Sequence, residues 1–185
     1  MSKTLYFFDI DGCTMPSIFP NDLFYNTDIE KLDIIIKAYQ EAKRLYWDWK
    51  SNGTGLYPNF VEFYKEISKE KPVITFITGR QRDIFGWLTR WQLKPLNDIN
   101  NYYDVEYFPS ELNHTKQRYI DFKNVSIGEL VPTKRFAGIL NIFDDNNDYF
   151  QDLKNQFHLA KMNCCLMKSN EDWELMLTKL KNGEM

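Results

Sequence analysis

Short blocks of apolar residues punctuate this chain, and several of them end abruptly in polar groups. Leu5-Tyr6-Phe7-Phe8 has no polar alternation, the pattern of a strand covered on both faces, and it stops at Asp9-Ile10-Asp11-Gly12. Val73-Ile74-Thr75-Phe76-Ile77 is a second such run, ending in Thr78-Gly79-Arg80. Gly138-Ile139-Leu140-Asn141-Ile142-Phe143 is a third, ending in Asp144, Asp145 and then Asp148. Between these runs the apolar residues change to helical spacing. Leu32, Ile35, Ile36, Tyr39, Ala42, Leu45, Tyr46 and Trp49 predict a helix with Lys31 to Trp49 as its body, capped by Asp28 and stopped by Ser51-Asn52-Gly53-Thr54-Gly55. Further helices are predicted from about Pro58 to Ser68, Arg82 to Trp91, His114 to Phe122 with a resumption near Ser126, after Asp148, and from about Glu171 to Lys181. Tyr103 to Phe108 alternates like a strand, and Cys164 to Met167 makes another. Strands alternating with helices predict an α/β fold with a mainly parallel sheet.

Composition narrows the setting. At 185 residues and 43% hydrophobic, the chain suits one domain with a small elaboration. Eleven Tyr, 14 Phe and 5 Trp are more rings than a core of this size needs, so some are expected on a groove or a partner contact. Tyr46-Trp47-Asp48-Trp49 places rings on adjacent positions, which cannot all face one side of a helix. A net charge of −3 gives no global basic face for nucleic acid. The three cysteines, Cys13, Cys164 and Cys165, form no disulfide framework, and two histidines make no His-rich metal site. No apolar stretch is long enough to span a bilayer, so the expectation is no membrane and a reducing, cytoplasmic setting.

In a parallel sheet the three polar strand ends share one edge, where open α/β sheets bind ligands. Asp9 and Asp11, at i and i+2, point the same way if the strand continues, and two acids so close call for a cation or a shared proton. Carboxylates without clustered His or Cys suit a hard cation such as Mg²⁺. With a hydroxyl and a lysine alongside, they make a phosphate site in which an Asp can attack phosphorus. The bland readings are solvated acids at a turn for Asp9 and Asp11, an Asx-rich turn and helix cap for Asp144 to Asp148, and turn chemistry for Thr78-Gly79-Arg80. Arg80 and Arg82 read as solvated or paired, or within reach of a substrate phosphate.

Asp9-Ile10-Asp11-Gly12 after the first strand, Thr78 after the second, a lysine near a helix start, and Asp144-Asp145-Asn146-Asn147-Asp148 after a later strand resemble, in order, the four motifs of the haloacid dehalogenase (HAD) superfamily. The resemblance implies a Rossmann-like three-layer sandwich and a Mg²⁺-dependent phosphatase working through an aspartyl-phosphate. Asp9 would be the nucleophile and Asp11 the general acid, then base, with its carbonyl on Mg²⁺. Thr78, with Gly79 and Gly12, would bind the phosphoryl group. Lys116, which opens a helix after Asn113-His114-Thr115, would neutralise charge on it; Lys123 and Lys134 are the other candidates. Asp144, with Asp145 or Asp148, would complete the metal site. Cys13 stands where the family usually has Thr, and Thr14 follows it. An acid at Asp11 argues for ester hydrolysis, since dehalogenase members lack it.

The stretch between the first two motifs, about residues 16–56, would be a small helical cap. An open site under a small cap admits a phosphorylated small molecule, a nucleotide, or a larger substrate such as a polynucleotide end. Thr78-Gly79-Arg80 with Phe85 and Thr115-Lys116 also resemble HAD domains linked to RNA-end repair. A catalytically idle HAD-like interaction domain is the remaining alternative.

Overall fold

β1 (Thr4–Phe8) lies at the centre of a five-stranded sheet. β2 (Val73–Thr78) and β3 (Tyr103–Tyr107) lie on one side of it and β4 (Ile139–Asp144) and β5 (Lys161–Leu166) on the other, all parallel, in the order β3-β2-β1-β4-β5. The computed structural model describes residues 4–18, 31–110, 115–133 and 135–185; Asp28, His114 and Lys134 lie outside them. Six helices fall within the described residues: α1 (Lys31–Asn52), α2 (Pro58–Ser68), α3 (Arg82–Asn97), α4 (Lys116–Leu130), α5 (Phe150–Gln156) and α6 (Asn170–Lys181). None of them is long and apolar enough to cross a membrane.

The unbroken apolar strands are explained by two covered faces. Along β1, Tyr6 and Phe8 enter a cluster with Phe60, Phe63 and Ile67 of α2, Leu93 and Leu96 of α3, and Trp173 and Met176 of α6. Leu5 and Phe7 enter another, with Ile120 and Ile127 of α4 and Phe150 and Leu153 of α5. The result is the three-layer, Rossmann-like sandwich that the family resemblance implies. Much of the aromatic excess sits in the first cluster. The Phe8 ring lies 5.1 Å from that of Phe143, 5.4 Å from Phe60, 5.6 Å from Phe76 and 5.9 Å from Trp173. Edge and offset contacts of this kind add to the area that the rings bury.

The connections leave β1 and β4 towards opposite edges of the sheet, which opens a crevice at their carboxyl ends. The register is set so that Phe8 pairs with Phe76 on one side and Phe143 on the other. Asp9 is therefore the neighbour of Asp144, and its N–H still bonds the Phe143 carbonyl at 2.9 Å. The turn after it is held from behind: the Trp173 indole N–H donates to the Cys13 carbonyl at 2.7 Å, and Thr14 donates both its N–H and its hydroxyl to the Ile10 carbonyl. α6, which brings Trp173, begins with a capping box between Ser169 and Asp172.

Three elements differ from the sequence pattern. α3 runs past Trp91 to Asn97 despite Pro95, because Leu93 and Leu96 continue its buried stripe into the core and offset the hydrogen bond that proline removes. α4 is continuous through Lys123-Asn124 because Lys123 has buried partners. α1 packs on α3 through Ala38, Ala42, Leu45, Tyr46 and Trp49, while Ile36 and Tyr39 are exposed; alanines let the two helices approach closely. Tyr46 meets Trp87 and Trp91, and its neighbour Trp47 is 62% exposed.

Candidate active site

Three strand ends and one helix build the site. Asp9, beyond β1, is 3% exposed, and Asp144, at the end of β4, is 1% exposed. Asp145 follows, half-buried, and the carboxylates of Asp9, Asp144 and Asp145 bring an oxygen each within 4.8 Å of one another. Asp145 can come so close because Gly12 has no side chain: a Cβ there would stand 2.5 Å from Asp145 Oδ2. Gly12 also has φ +81°, a backbone region that glycine enters freely.

The cation between the strand ends is Lys123. Its ammonium, 1% exposed, lies 2.6 Å from Asp9 Oδ1 and 2.6 Å from Asp144 Oδ2. Lys116, the lysine favoured by the sequence, is half-exposed and pairs with Asp148 at 2.6 Å. Helical rise explains the difference. Seven residues separate the two lysines, about 10 Å along the axis at ~1.5 Å per residue, so Lys116 stands out over the sheet edge while Lys123 reaches beneath it. Asp148 belongs with Lys116 on the exposed rim, outside the carboxylate cluster.

Two tyrosines complete the cluster. Tyr119, one turn before Lys123, donates its hydroxyl to Asp9 Oδ1 at 2.8 Å and sets its ring 4.8 Å from the Lys123 ammonium. Tyr149 donates to Asp144 Oδ2 at 2.6 Å, and the Asn146 N–H donates to Asp144 Oδ1. Burial, reinforced by the carboxylates, pushes both phenol pKa values well above the ordinary one, so the hydroxyls remain donors. Sequence reasoning missed both tyrosines. The available signal for Lys123 and Tyr119 was a charged residue on a buried stripe, Ile120-Lys123-Ile127, which demands a counter-charge, with Tyr119 one turn away.

The electrostatics show too little positive charge. Burial raises the Asp9 pKa to about 7, with Asp144 and Asp11 adding to the rise and Lys123 opposing it. Burial, then Asp9 and Asp144, raise that of Asp145 to about 8. The Lys123 ammonium loses hydration, yet the two carboxylates outweigh that loss and push its pKa up. Three carboxylates around one ammonium are short of cationic charge, and hard oxygen donors of this kind fit Mg²⁺.

Thr78 is fully buried at the end of β2; its hydroxyl oxygen accepts the Arg80 N–H at 3.2 Å, which leaves its own proton to donate. Gly79 is buried beside it. The Asp11 carboxylate is not part of the three-carboxylate cluster. It forms a bidentate pair with Arg80, Nε to Oδ2 at 2.7 Å and Nη2 to Oδ1 at 2.8 Å, and Oδ1 also accepts the Ile18 N–H at 3.2 Å. Cys13 is buried in the turn, and burial with the adjacent Asp9 pushes its thiol pKa well up, so it stays a thiol.

No protein-family model and no curated protein matches this sequence. Among solved structures, the HAD domain of the effector protein Lem4 from Legionella pneumophila is similar over 98% of this chain and 95% of that one, with a TM-score of 0.53 and 15% identity. An inactive mutant of the same domain is similar over 98% and 94%, with the same TM-score and 14% identity. At this identity the likeness is one of fold: the chain has a HAD-like fold.

Proposed function

We propose that this protein is a phosphohydrolase that cleaves phosphate monoesters through an aspartyl-phosphate on Asp9. The observation that carries the reading is the cluster at the central strand ends. A buried carboxylate there has one oxygen fixed by Lys123 and Tyr119, two further carboxylates beside it, and a buried threonine at the next strand end. Lys123 and Tyr119 hold Asp9 Oδ1, which leaves Oδ2 to attack phosphorus as the ester P–O bond breaks. Thr78 and the N–H groups of the two turns take the phosphoryl oxygens, and Lys123 offsets their charge. Asp11 gives a proton to the departing ester oxygen, then takes one from the water that attacks the aspartyl-phosphate; that attack releases phosphate and restores Asp9. Asp9, Asp144 and Asp145 would hold Mg²⁺, which supplies positive charge against the phosphoryl group.

The substrate class is a phosphorylated small molecule or nucleotide. A polynucleotide end is the second reading, favoured by α1, where Lys43 lies 5.6 Å from the Tyr39 ring and Lys50 lies 5.0 Å from that of the exposed Trp47. Rings and cations alternating on a surface are the elements of a stacking platform.

Phosphate release from p-nitrophenyl phosphate and a broad panel of phosphomonoesters, with and without Mg²⁺, tests the reading. Turnover is expected with Mg²⁺ and is expected to vanish in Asp9→Asn. No release from any panel member, or full activity in Asp9→Asn, overturns it. A 3′-phosphorylated oligonucleotide preferred over mononucleotides and sugar phosphates selects the second substrate class.

A further inference from the structure

Arg80 is fully buried, and nothing in the reaction outlined above uses it. Its side chain has five N–H donors, and five acceptors meet them. Nε and one Nη2 hydrogen go to the two oxygens of Asp11, and the other Nη2 hydrogen faces Met15 Sδ at 3.5 Å. Nη1 serves Thr89 Oγ1 at 3.2 Å and Gln92 Oε1 at 2.5 Å. A guanidinium so committed has nothing left for a substrate phosphate. Gln92 turns its carbonyl to Arg80 although its own buried amide N–H is left without a partner. A buried, unpaired donor costs about 1–3 kcal/mol, so the fold accepts a penalty to anchor this arginine on α3.

The other end of the clasp is Asp11. Its two oxygens accept three hydrogen bonds, two from Arg80 and one from the Ile18 N–H, and neither oxygen belongs to the carboxylate cluster of Asp9, Asp144 and Asp145. Ile18 in turn packs among Ala38 and Ala42 of α1 and Phe85 and Leu88 of α3. To protonate a leaving group at Asp9, the Asp11 carboxyl has to leave this clasp.

We propose that Arg80 is a positioning residue for Asp11. It holds the proton-donating carboxyl off the phosphoryl site, so that the resting protein favours phosphate esters whose leaving groups depart without a proton. The inference rests on the phosphohydrolase reading. Aryl phosphates with weakly basic leaving groups then pass their phosphoryl group to Asp9 at once, and alkyl phosphates wait for the guanidinium to release Asp11.

The test is a leaving-group series of p-nitrophenyl phosphate, phenyl phosphate and glycerol 2-phosphate, with kcat/KM measured for the unaltered protein, Arg80→Lys, Gln92→Leu, Asp11→Asn and the double variant Arg80→Lys/Asp11→Asn. Arg80→Lys keeps the charge and loses the two-point grip. It is expected to raise the glycerol 2-phosphate to p-nitrophenyl phosphate ratio by roughly tenfold, a fraction of the 10²–10⁴ that a placed acid supplies. The Asp11→Asn change should lower that ratio and cancel the rise in the double variant. Gln92→Leu, which removes one of the two holds of α3 on Arg80 and leaves Thr89 and Asp11 untouched, should raise the ratio by a smaller factor and serves if Arg80→Lys does not fold. An equal loss on all three substrates makes the clasp merely structural and overturns the proposal. So does a fall in the ratio, which would mean that Arg80 aims Asp11 productively. If the unaltered protein turns over none of the three or any other phosphomonoester, the phosphohydrolase reading fails and takes this inference with it.

Discussion

Replacing Lys123 with methionine removes the ammonium between Asp9 and Asp144, each 2.6 Å away, and leaves a side chain of similar length in the same space. Breaking a buried ion pair from one side costs about 3–5 kcal/mol, because the partner charges stay buried without compensation. For a chain of 185 residues, each kcal/mol moves Tm by about 2–4 °C, so a fall of roughly 6–20 °C is expected in metal-free protein. Lys116→Met is the control. Its pair with Asp148 is half-exposed on both sides, and such pairs contribute about 0.2–1 kcal/mol.

The cost should also depend on pH. In the folded protein Asp9 and Asp145 hold protons up to about pH 7 and 8, whereas unfolded carboxyls release theirs near pH 4. A raised carboxyl pKa contributes stability at low pH that is lost as pH rises towards the folded value, so metal-free protein should weaken between about pH 4 and pH 8. Lys123 is what opposes the rise at both acids. Without it their folded pKa values climb further, and the variant should lose more at pH 8 than at pH 5.5, by up to about 1.4 kcal/mol per pH unit for each proton retained. Urea unfolding of both variants in EDTA at the two pH values measures this. Equal losses for Lys123→Met and Lys116→Met, or a loss for Lys123→Met that shrinks as pH rises, would refute the assignment of Lys123 as the buried counter-charge.

Three further outcomes follow from the same geometry. Mg²⁺ should stabilise the protein, by about 2.7 kcal/mol at a hundred times its Kd, and by more at pH 8 than at pH 5.5, since protons compete for Asp9 and Asp145; thermal shift across pH reads this, and a pH-independent shift argues against binding at these carboxylates. Gly12→Ala forces a Cβ to within 2.5 Å of Asp145 Oδ2 at a φ of +81°, costing about 1–2 kcal/mol for the left-handed backbone alone; calorimetric titration should show weaker Mg²⁺ binding, whereas unchanged affinity would remove Asp145 from the metal set. Trp173→Phe removes the indole hydrogen bond to the Cys13 carbonyl and leaves a buried acceptor unpaired, a loss of about 1–3 kcal/mol by chemical denaturation, with the activity defect following the distortion of the Asp9 turn.

The strands were the most legible part of the molecule. Tyr6 and Phe8 face one layer while Leu5 and Phe7 face the other, and a run without polar alternation records just that arrangement. Asp9, Thr78 and Asp144 were legible for the same reason, since each stands where such a run stops. Helix faces were harder. In α1 the apolar residues Ile36 and Tyr39 fit the stripe as well as Ala38 does, but close packing on α3 selected the alanines, and that choice lies in the partner helix rather than in α1 itself. For the lysine of the site, nearness to a helix start favoured Lys116, because a family motif fixes order along the chain and not depth beneath a sheet edge. Depth is set by the stripe Ile120-Lys123-Ile127, which only a buried anion makes tolerable.

Arg80 shows where reading by position stops. From sequence it is the residue after Thr78-Gly79, beside the expected phosphate site, and a cation there reads as solvated or paired, or within reach of a substrate phosphate. The structure gives each of its donors a protein acceptor from two separate segments: Asp11 and Met15 in the first loop, and Thr89 and Gln92 on α3. None of these pairings has a local signature, because Arg80 and Asp11 are 69 residues apart and meet only once β1 and β2 have paired in register. The consequence reaches the chemistry. The second acid of Asp9-Ile10-Asp11-Gly12 argues for ester hydrolysis only if its carboxyl can reach the ester, and in the folded chain that depends on an arginine in another strand's turn. On the proposed reading, an acid in the right motif is thus a necessary part of the reaction, and the clasp that holds it determines for which leaving groups it is supplied.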